Sequence, residues 1–193
     1  MAELNPAVIP LSLYIHMPWC VRKCPYCDFN SHAVPDGELS LELEQEYLHA
    51  LVEDFKTQVD FAQGRQIHTV FIGGGTPSLI SAQGYQWLFD QLQAIIPFAE
   101  GCEITLEANP GTVEHDPFAG YLQAGINRLS IGVQSFNTDH LKRLGRIHSN
   151  EDAISAIGLA REAGFRRINV DLMHGLPEQT LDQALHDLKL AVE

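Results

Sequence analysis

Ala124-Gly125-Ile126-Asn127-Arg128-Leu129-Ser130-Ile131 and Ala163-Gly164-Phe165-Arg166-Arg167-Ile168-Asn169-Val170 are two copies of one pattern. Each reads as a helix end, a glycine turn and a short strand. The offset from Ala124 to Ala163 is 39 residues. A period near 40 that contains helices as well as strands suits a (β/α) barrel or solenoid. The same unit can be traced outward in both directions. Leu11-Ser12-Leu13-Tyr14-Ile15-His16 reads as a first strand, Ile67 to Ile72 as a second and Ile104-Thr105-Leu106 as a third. Arg128 to Ile131 and Arg167 to Leu172 supply the fourth and fifth.

Helical spacing fills the gaps between them. Leu48, Leu51, Val52, Phe55 and Val59 recur on one face, and a second helix runs from about Ser81 to Ile96, ended by Pro97. Asp116 and Pro117 sit where an N-cap and first helical residue belong, in a helix stopped by Gly125. Asn150 is expected to cap a helix ending at Gly164, and Thr180 with Gln183 forms a capping box for the last one. Five β-α units with connections too long for hairpins predict an α/β protein with a parallel sheet. No closing unit is present, so the expectation is a partial parallel (β/α) barrel, the front part of a longer protein.

Composition narrows the function. The chain has 193 residues, 45% hydrophobic and 19% charged, with 12 Lys and Arg against 25 Asp and Glu. That is a globular composition, long enough for a core. A formal charge of −13 argues against nucleic acid as a partner, because such binding rests on clustered Lys and Arg. No apolar run approaches the roughly 18 residues of a membrane span. Met1 to Pro10 has no basic start and no apolar core, so no secretory signal is expected, and the cytoplasm is the expected location.

Chemistry in parallel sheets of this kind collects at the C-terminal ends of the strands. Cys20, Cys24 and Cys27 follow the first strand and Gly73-Gly74-Gly75-Thr76-Pro77 the second. Glu107-Ala108-Asn109-Pro110-Gly111 follows the third and Gly132-Val133-Gln134-Ser135 the fourth, while Asp171 ends the fifth. Carboxylates and an amide thus converge on one rim, opposite a glycine loop that a ligand can approach closely. Either carboxylate alone could be a turn cap. The glycine loop is neither a Walker A loop nor a dinucleotide fingerprint.

The spacing Cys20-x3-Cys24-x2-Cys27 admits three readings. One is a [4Fe–4S] cluster on three thiolates, with one iron left open. Another is structural zinc with His16 or His32 as fourth ligand. The third is a dithiol centre at Cys24-Pro25-Tyr26-Cys27. The dithiol leaves Cys20 and the rim unexplained, and zinc lacks a second knuckle. Cys102 stands apart and reads as a buried small hydrophobe.

Taken together, these residues resemble the radical S-adenosylmethionine (SAM) superfamily, through the three cysteines and Gly73-Gly74-Gly75-Thr76-Pro77. Tyr14-Ile15-His16-Met17-Pro18-Trp19-Cys20, Glu107-Ala108-Asn109-Pro110, Gly132-Val133-Gln134-Ser135-Phe136 and Asp171-Leu172-Met173-His174-Gly175-Leu176-Pro177 narrow the likeness. They resemble the oxygen-independent coproporphyrinogen III oxidase group, and most closely its HemW branch of haem chaperones. The resemblance covers the whole chain, residues 1–193, as the N-terminal part of a radical SAM core domain. It implies that Cys20, Cys24 and Cys27 bind the cluster and that SAM chelates the open iron. It also implies SAM contacts from Tyr14, Tyr26, Gly74, Gly75, Thr76, Glu107, Gln134, Arg146 and Asp171. Arg146 has a plain alternative as part of the basic run Lys142-Arg143-Leu144-Gly145-Arg146, and Tyr14 and Tyr26 as core aromatics.

The oxidases of this group carry a fourth cysteine two positions beyond the third, where this chain has Phe29. That departure matches the chaperone branch. The expected function is therefore haem binding and transfer to acceptor proteins, with haem as cargo and an electron donor for the cluster. The alternative is oxidative decarboxylation of porphyrinogen propionates through a SAM-derived radical, which the missing thiol puts in doubt.

Overall fold

The computed structural model describes Asn5 and residues 8–34, 38–111 and 116–193. Most of the opening segment read for a leader lies outside them. The element order is β1 (Leu11–Met17), β2 (Trp19–Cys20), β3 (His32–Ala33), α1 (Leu41–Thr57), α2 (Val59–Ala62), β4 (Ile67–Gly74), α3 (Ala82–Ile95) and β5 (Phe98–Ala108). Then follow α4 (Phe118–Gln123), β6 (Arg128–Gln134), α5 (Thr138–Arg143), α6 (Asn150–Glu162), β7 (Ile168–Leu172) and α7 (Leu181–Val192).

The two sequence copies prove to be the same structure. Gly125 and Gly164 adopt φ of +104° and +103°. After α4, the Ile126 N–H donates to the Tyr121 carbonyl and Gly125 N–H to Leu122; after α6, Phe165 donates to Ala160 and Gly164 to Arg161. Both are Schellman turns, which satisfy the last helical carbonyls and aim the chain back along the sheet. A third such turn ends α5, where Arg146 N–H bonds the Leu141 carbonyl and Gly145 that of Lys142, each at 3.0 Å.

The main sheet is parallel, in the order β1-β4-β5-β6-β7. The five strands stand in the sheet in their chain order, with only the small β2-β3 pair of the cysteine loop set apart, and α1, α3, α4 and α6 pack each against the next. That is barrel winding, with one helical layer outside, and it bears out the partial (β/α) barrel. Alternation sorts the strands into two faces. Ile15, Met17, Val70, Ile72, Ile104, Leu106, Leu129, Ile131 and Val133 are buried in a core shared with Leu48, Phe55, Leu88, Phe89, Tyr121 and Phe165. The opposite, concave face is polar and bonded across strands: Thr69 hydroxyl to Ser12, Arg128 to Thr105, and Ser130 hydroxyl to Asp171. Among the described residues no helix is long and apolar enough to cross a membrane.

Several boundaries differ from the sequence reading. α1 ends at Thr57, so Val59 belongs to the short α2. The third strand starts at Phe98 rather than Ile104, pairing with Ile67 before a register shift at Gly101. Cys102 therefore lies within a strand, buried as expected. Ser149, not Asn150, caps α6, since Asp152 completes its capping box. Pro117 takes the N-cap position of α4, and the Asp116 carboxylate reaches across to accept from Ala82 N–H, at the start of α3, at 2.7 Å.

Candidate functional site

The cysteine loop is hung from the ends of β1 and β4 by backbone. Gly75 N–H donates to the Met17 carbonyl and Thr76 N–H to that of Trp19, each at 2.6 Å. A Cβ on Gly75 would collide with the Trp19 carbonyl, and one on Gly74 would lie 2.6 Å from His16 Cε1. The triple glycine is thus a place where two protein segments pass at backbone distance, as well as an edge open to a ligand. Beyond Cys20 the loop turns through a Cys27 N–H bond to the Cys24 carbonyl and returns as β3, beside β2. Lys23 Nζ ties it internally, donating to the Phe29 carbonyl at 3.0 Å.

All three thiols are free and open onto one cavity of about 370 Å³ at the C-terminal ends of the strands. Tyr26, Gly74, Gly75, Thr76, Glu107, Gln134, Arg146 and Asp171 line the same cavity. Every site residue named from sequence is therefore brought together except Tyr14, which stands on the concave face beside it. The Tyr14 hydroxyl pairs with His16 Nδ1 at 3.1 Å, and its ring stacks on Phe71.

Arg146 is not part of a solvated basic face. The Schellman turn after α5 throws it back over the sheet, where Nη2 donates to Asn109 Oδ1 and to the Gly132 carbonyl, both at 2.7 Å. Its other arm lies 3.6 Å from Cys24 Sγ and 3.5 Å from the Tyr26 hydroxyl. Gly145, with φ of +71°, meets Pro25 of the cysteine loop so closely that a Cβ would stand 2.8 Å from Pro25 Cδ. Glu107 Oε2 accepts from Gly74 N–H at 3.2 Å. Burial, then the nearby Asp171, pushes the Glu107 carboxyl above its ordinary 4.5, against the pull of the Gly74 bond and His16. Asp171 accepts from Asn169 Nδ2 at 2.7 Å and from Ser130 Oγ at 3.1 Å. The Thr76 hydroxyl accepts from Asn109 Nδ2 at 3.2 Å. Burial raises the Tyr26 hydroxyl, with Arg146 pulling the other way.

Sequence reasoning assigned no role to Ser130 or Lys23, which also line the cavity. Ser130 had a signal, the alternation Arg128, Ser130, Gly132, Gln134 along one strand face. His16, one choice for a fourth zinc ligand, has both ring nitrogens engaged: Nδ1 with Tyr14 and Nε2 with the Asn30 carbonyl at 2.8 Å. Among the described residues no three His, Cys, Asp or Glu converge as a single ion's ligands would. A cluster that gives each thiolate its own iron makes no such demand. Three free thiols facing a carboxylate pair and a guanidinium across a nucleoside-sized space fit a cluster with a small zwitterionic ligand.

Residues 14–191 match the model of the Radical SAM superfamily. The chain is 56% identical over 184 residues to the haem chaperone HemW of Escherichia coli K12, covering 95% of this chain and 48% of that protein. It is 54% identical over 192 residues to the HemW of Haemophilus influenzae, covering 97% and 49%. The chain thus spans about half the length of the curated relatives it matches. Among solved structures, the coproporphyrinogen III oxidase HemN of Escherichia coli, described as a radical SAM enzyme, superposes with a TM-score of 0.80 at 32% identity, over 94% of this chain and 41% of that one. With thiols, glycine edge and carboxylates on one rim of an unclosed parallel barrel, the chain belongs to the radical SAM superfamily.

Proposed function

We propose that the chain is the cluster- and SAM-binding part of a haem chaperone, a protein that takes up haem and hands it to acceptor proteins. Phe29 carries the reading. Where the oxidase pattern has its fourth thiol, a phenyl ring, 53% exposed, borders the cavity. Such a ring can neither ligate iron nor pass a proton. The relatives named as haem chaperones support the same choice.

On this reading Cys20, Cys24 and Cys27 would hold a [4Fe–4S] cluster, with one iron left open for SAM. The bound pair supplies one-electron chemistry at the sulfonium, fed by an external electron donor. Arg146 presents Nη1 to the SAM carboxylate while Nη2 stays fixed on Asn109 and Gly132. Gly74 and Gly75 offer backbone carbonyls to the N–H groups of the SAM amine. Asp171 and Glu107 accept from ribose hydroxyls or a cationic group, and Gln134 contacts the same nucleoside. Thr76, whose backbone N–H and carbonyl are engaged by Trp19 and Leu79, serves through its hydroxyl, which accepts from Asn109 and keeps its own O–H to donate. Tyr14 and Tyr26 flank the ligand. The cytoplasm, whose thiol pool keeps free cysteines reduced, is the compartment this function expects.

The superposition on an oxidase favours a second reading, decarboxylation of coproporphyrinogen III. One experiment separates the two. Anaerobic reconstitution should yield about four irons and four sulfides per chain, lost in each of Cys20→Ser, Cys24→Ser and Cys27→Ser. A full-length version of the protein, reconstituted in the same way, should bind one haem by Soret titration. It should leave coproporphyrinogen III unchanged while cleaving SAM to 5′-deoxyadenosine under a strong reductant, which proves the cluster reducible. Robust protoporphyrinogen formation would establish the oxidase instead, and stoichiometric zinc in anaerobically purified protein would remove the cluster altogether.

A further inference from the structure

Gln134 ends β6 with φ of +67°, and the Ser135 N–H donates to the Val133 carbonyl at 2.9 Å. A hydrogen bond from residue i+2 back to residue i, around a positive φ, is the rare and strained form of γ-turn. Glutamine has a Cβ and gains nothing from that conformation, so its surroundings must impose it. They do so from several sides. Asp187 of α7, 2% exposed, accepts from Phe136 N–H at 2.8 Å and from the Ser135 hydroxyl at 2.7 Å. Ser135 Oγ accepts in turn from Asn137 N–H at 3.0 Å. Met173 N–H donates to the Gln134 carbonyl at 2.9 Å, and His148 Nε2 lies 3.0 Å from that of Val133.

Asp187 does not line the cavity, and none of the ligand contacts assigned above uses it. A carboxylate is retained in such a place only with its bonds satisfied, and here both go to the residues that follow Gln134. We infer that Asp187 is a positioning residue: it holds the strained turn that presents the Gln134 side chain to the cavity, and so couples the last helix to the ligand pocket. The inference rests on the reading of that cavity as the SAM site.

The test measures SAM affinity by calorimetry on the cluster-reconstituted chain, with iron content and melting temperature recorded for every variant. Asp187→Ala should weaken SAM about tenfold, the effect of one lost hydrogen bond to a charged or polar ligand group. Gln134→Ala should weaken it similarly, and the double variant no further than Gln134→Ala alone, because the two act in series. Asp187→Asn keeps the packing and one acceptor and should fall between Asp187→Ala and the parent; it decides the matter if Asp187→Ala does not fold. Glu44→Gln, a buried carboxylate change on α1, is the stability control and should lower the melting temperature while leaving SAM affinity intact. Additive losses in the double variant, or Asp187 variants that bind SAM as the parent does while Gln134→Ala does not, would overturn the positioning role and leave the SAM site standing. A Gln134→Ala protein with parental affinity would bring down the nucleoside role of Gln134 and the inference with it.

Discussion

His148 is 4% exposed, with Nε2 on the Val133 carbonyl and Nδ1 lacking a hydrogen-bond partner among the described residues. Burial, with the Arg146 guanidinium beside it, lowers its pKa from 6.5 to about 4. The folded protein therefore keeps this ring neutral, while the unfolded chain protonates it near 6.5. Its contribution to stability is complete above pH 6.5 and drains away as pH falls from 6.5 towards 4. Thermal melts across that window should show a falling melting temperature, and His148→Gln, which carries no proton to gain, should flatten the slope. Parallel slopes for parent and variant would mean that the ring is solvated after all. Residues of this sort were only partly legible. The three thiols could be picked out by spacing, because a loop with Cys20, Cys24 and Cys27 so close together is a local object. His148, Asp187 and Glu44 could not, because each acts on backbone that lies far off in the chain or around a turn whose shape no local pattern reveals.

The elements are joined by such side chains. Glu44 of α1, 3% exposed, accepts from Ser81 N–H at 2.9 Å and from Ser81 Oγ at 2.6 Å, at the head of α3. Glu44→Ala leaves those donors buried without a partner and should cost about 1.5–3 kcal/mol in urea unfolding, with iron content unchanged. A loss under half a kcal/mol would show that water replaces the carboxylate. The strands and long helices were legible because apolar alternation and helical spacing belong to one segment at a time. Ser149 and Asn150 are both good caps, and the partner Asp152 three residues after Ser149 was the signal that separates them. α5, six residues long, offered too few turns for a period to show. The early half of β5 was hidden by Gly101, which reads as a turn and here sits at a register shift.

At the scale of the whole molecule, the sheet keeps apolar side chains under the helices and polar ones on the concave face, so the rim inherits hydrogen-bonding groups from the strands themselves. The chain carries −13, whereas SAM, with two cationic groups and one carboxylate, is a net cation at neutral pH. Long-range attraction should speed their encounter and be screened by salt. Stopped-flow association rates are expected to drop severalfold between about 20 mM and 300 mM KCl, where the Debye length shortens; a flat profile would make the local groups alone responsible. The binary fold pattern was visible in sequence for the buried face, while the polar face was read only as scattered rim residues, since its partners sit on neighbouring strands. One contact in this architecture bears on inheritance. At Gly75 the Trp19 carbonyl occupies the space that any Cβ would need, and every missense codon change from glycine adds at least that atom. Random mutation can therefore produce no mild allele there: alanine, the usual deletion in a scan, is at this codon the smallest possible insertion.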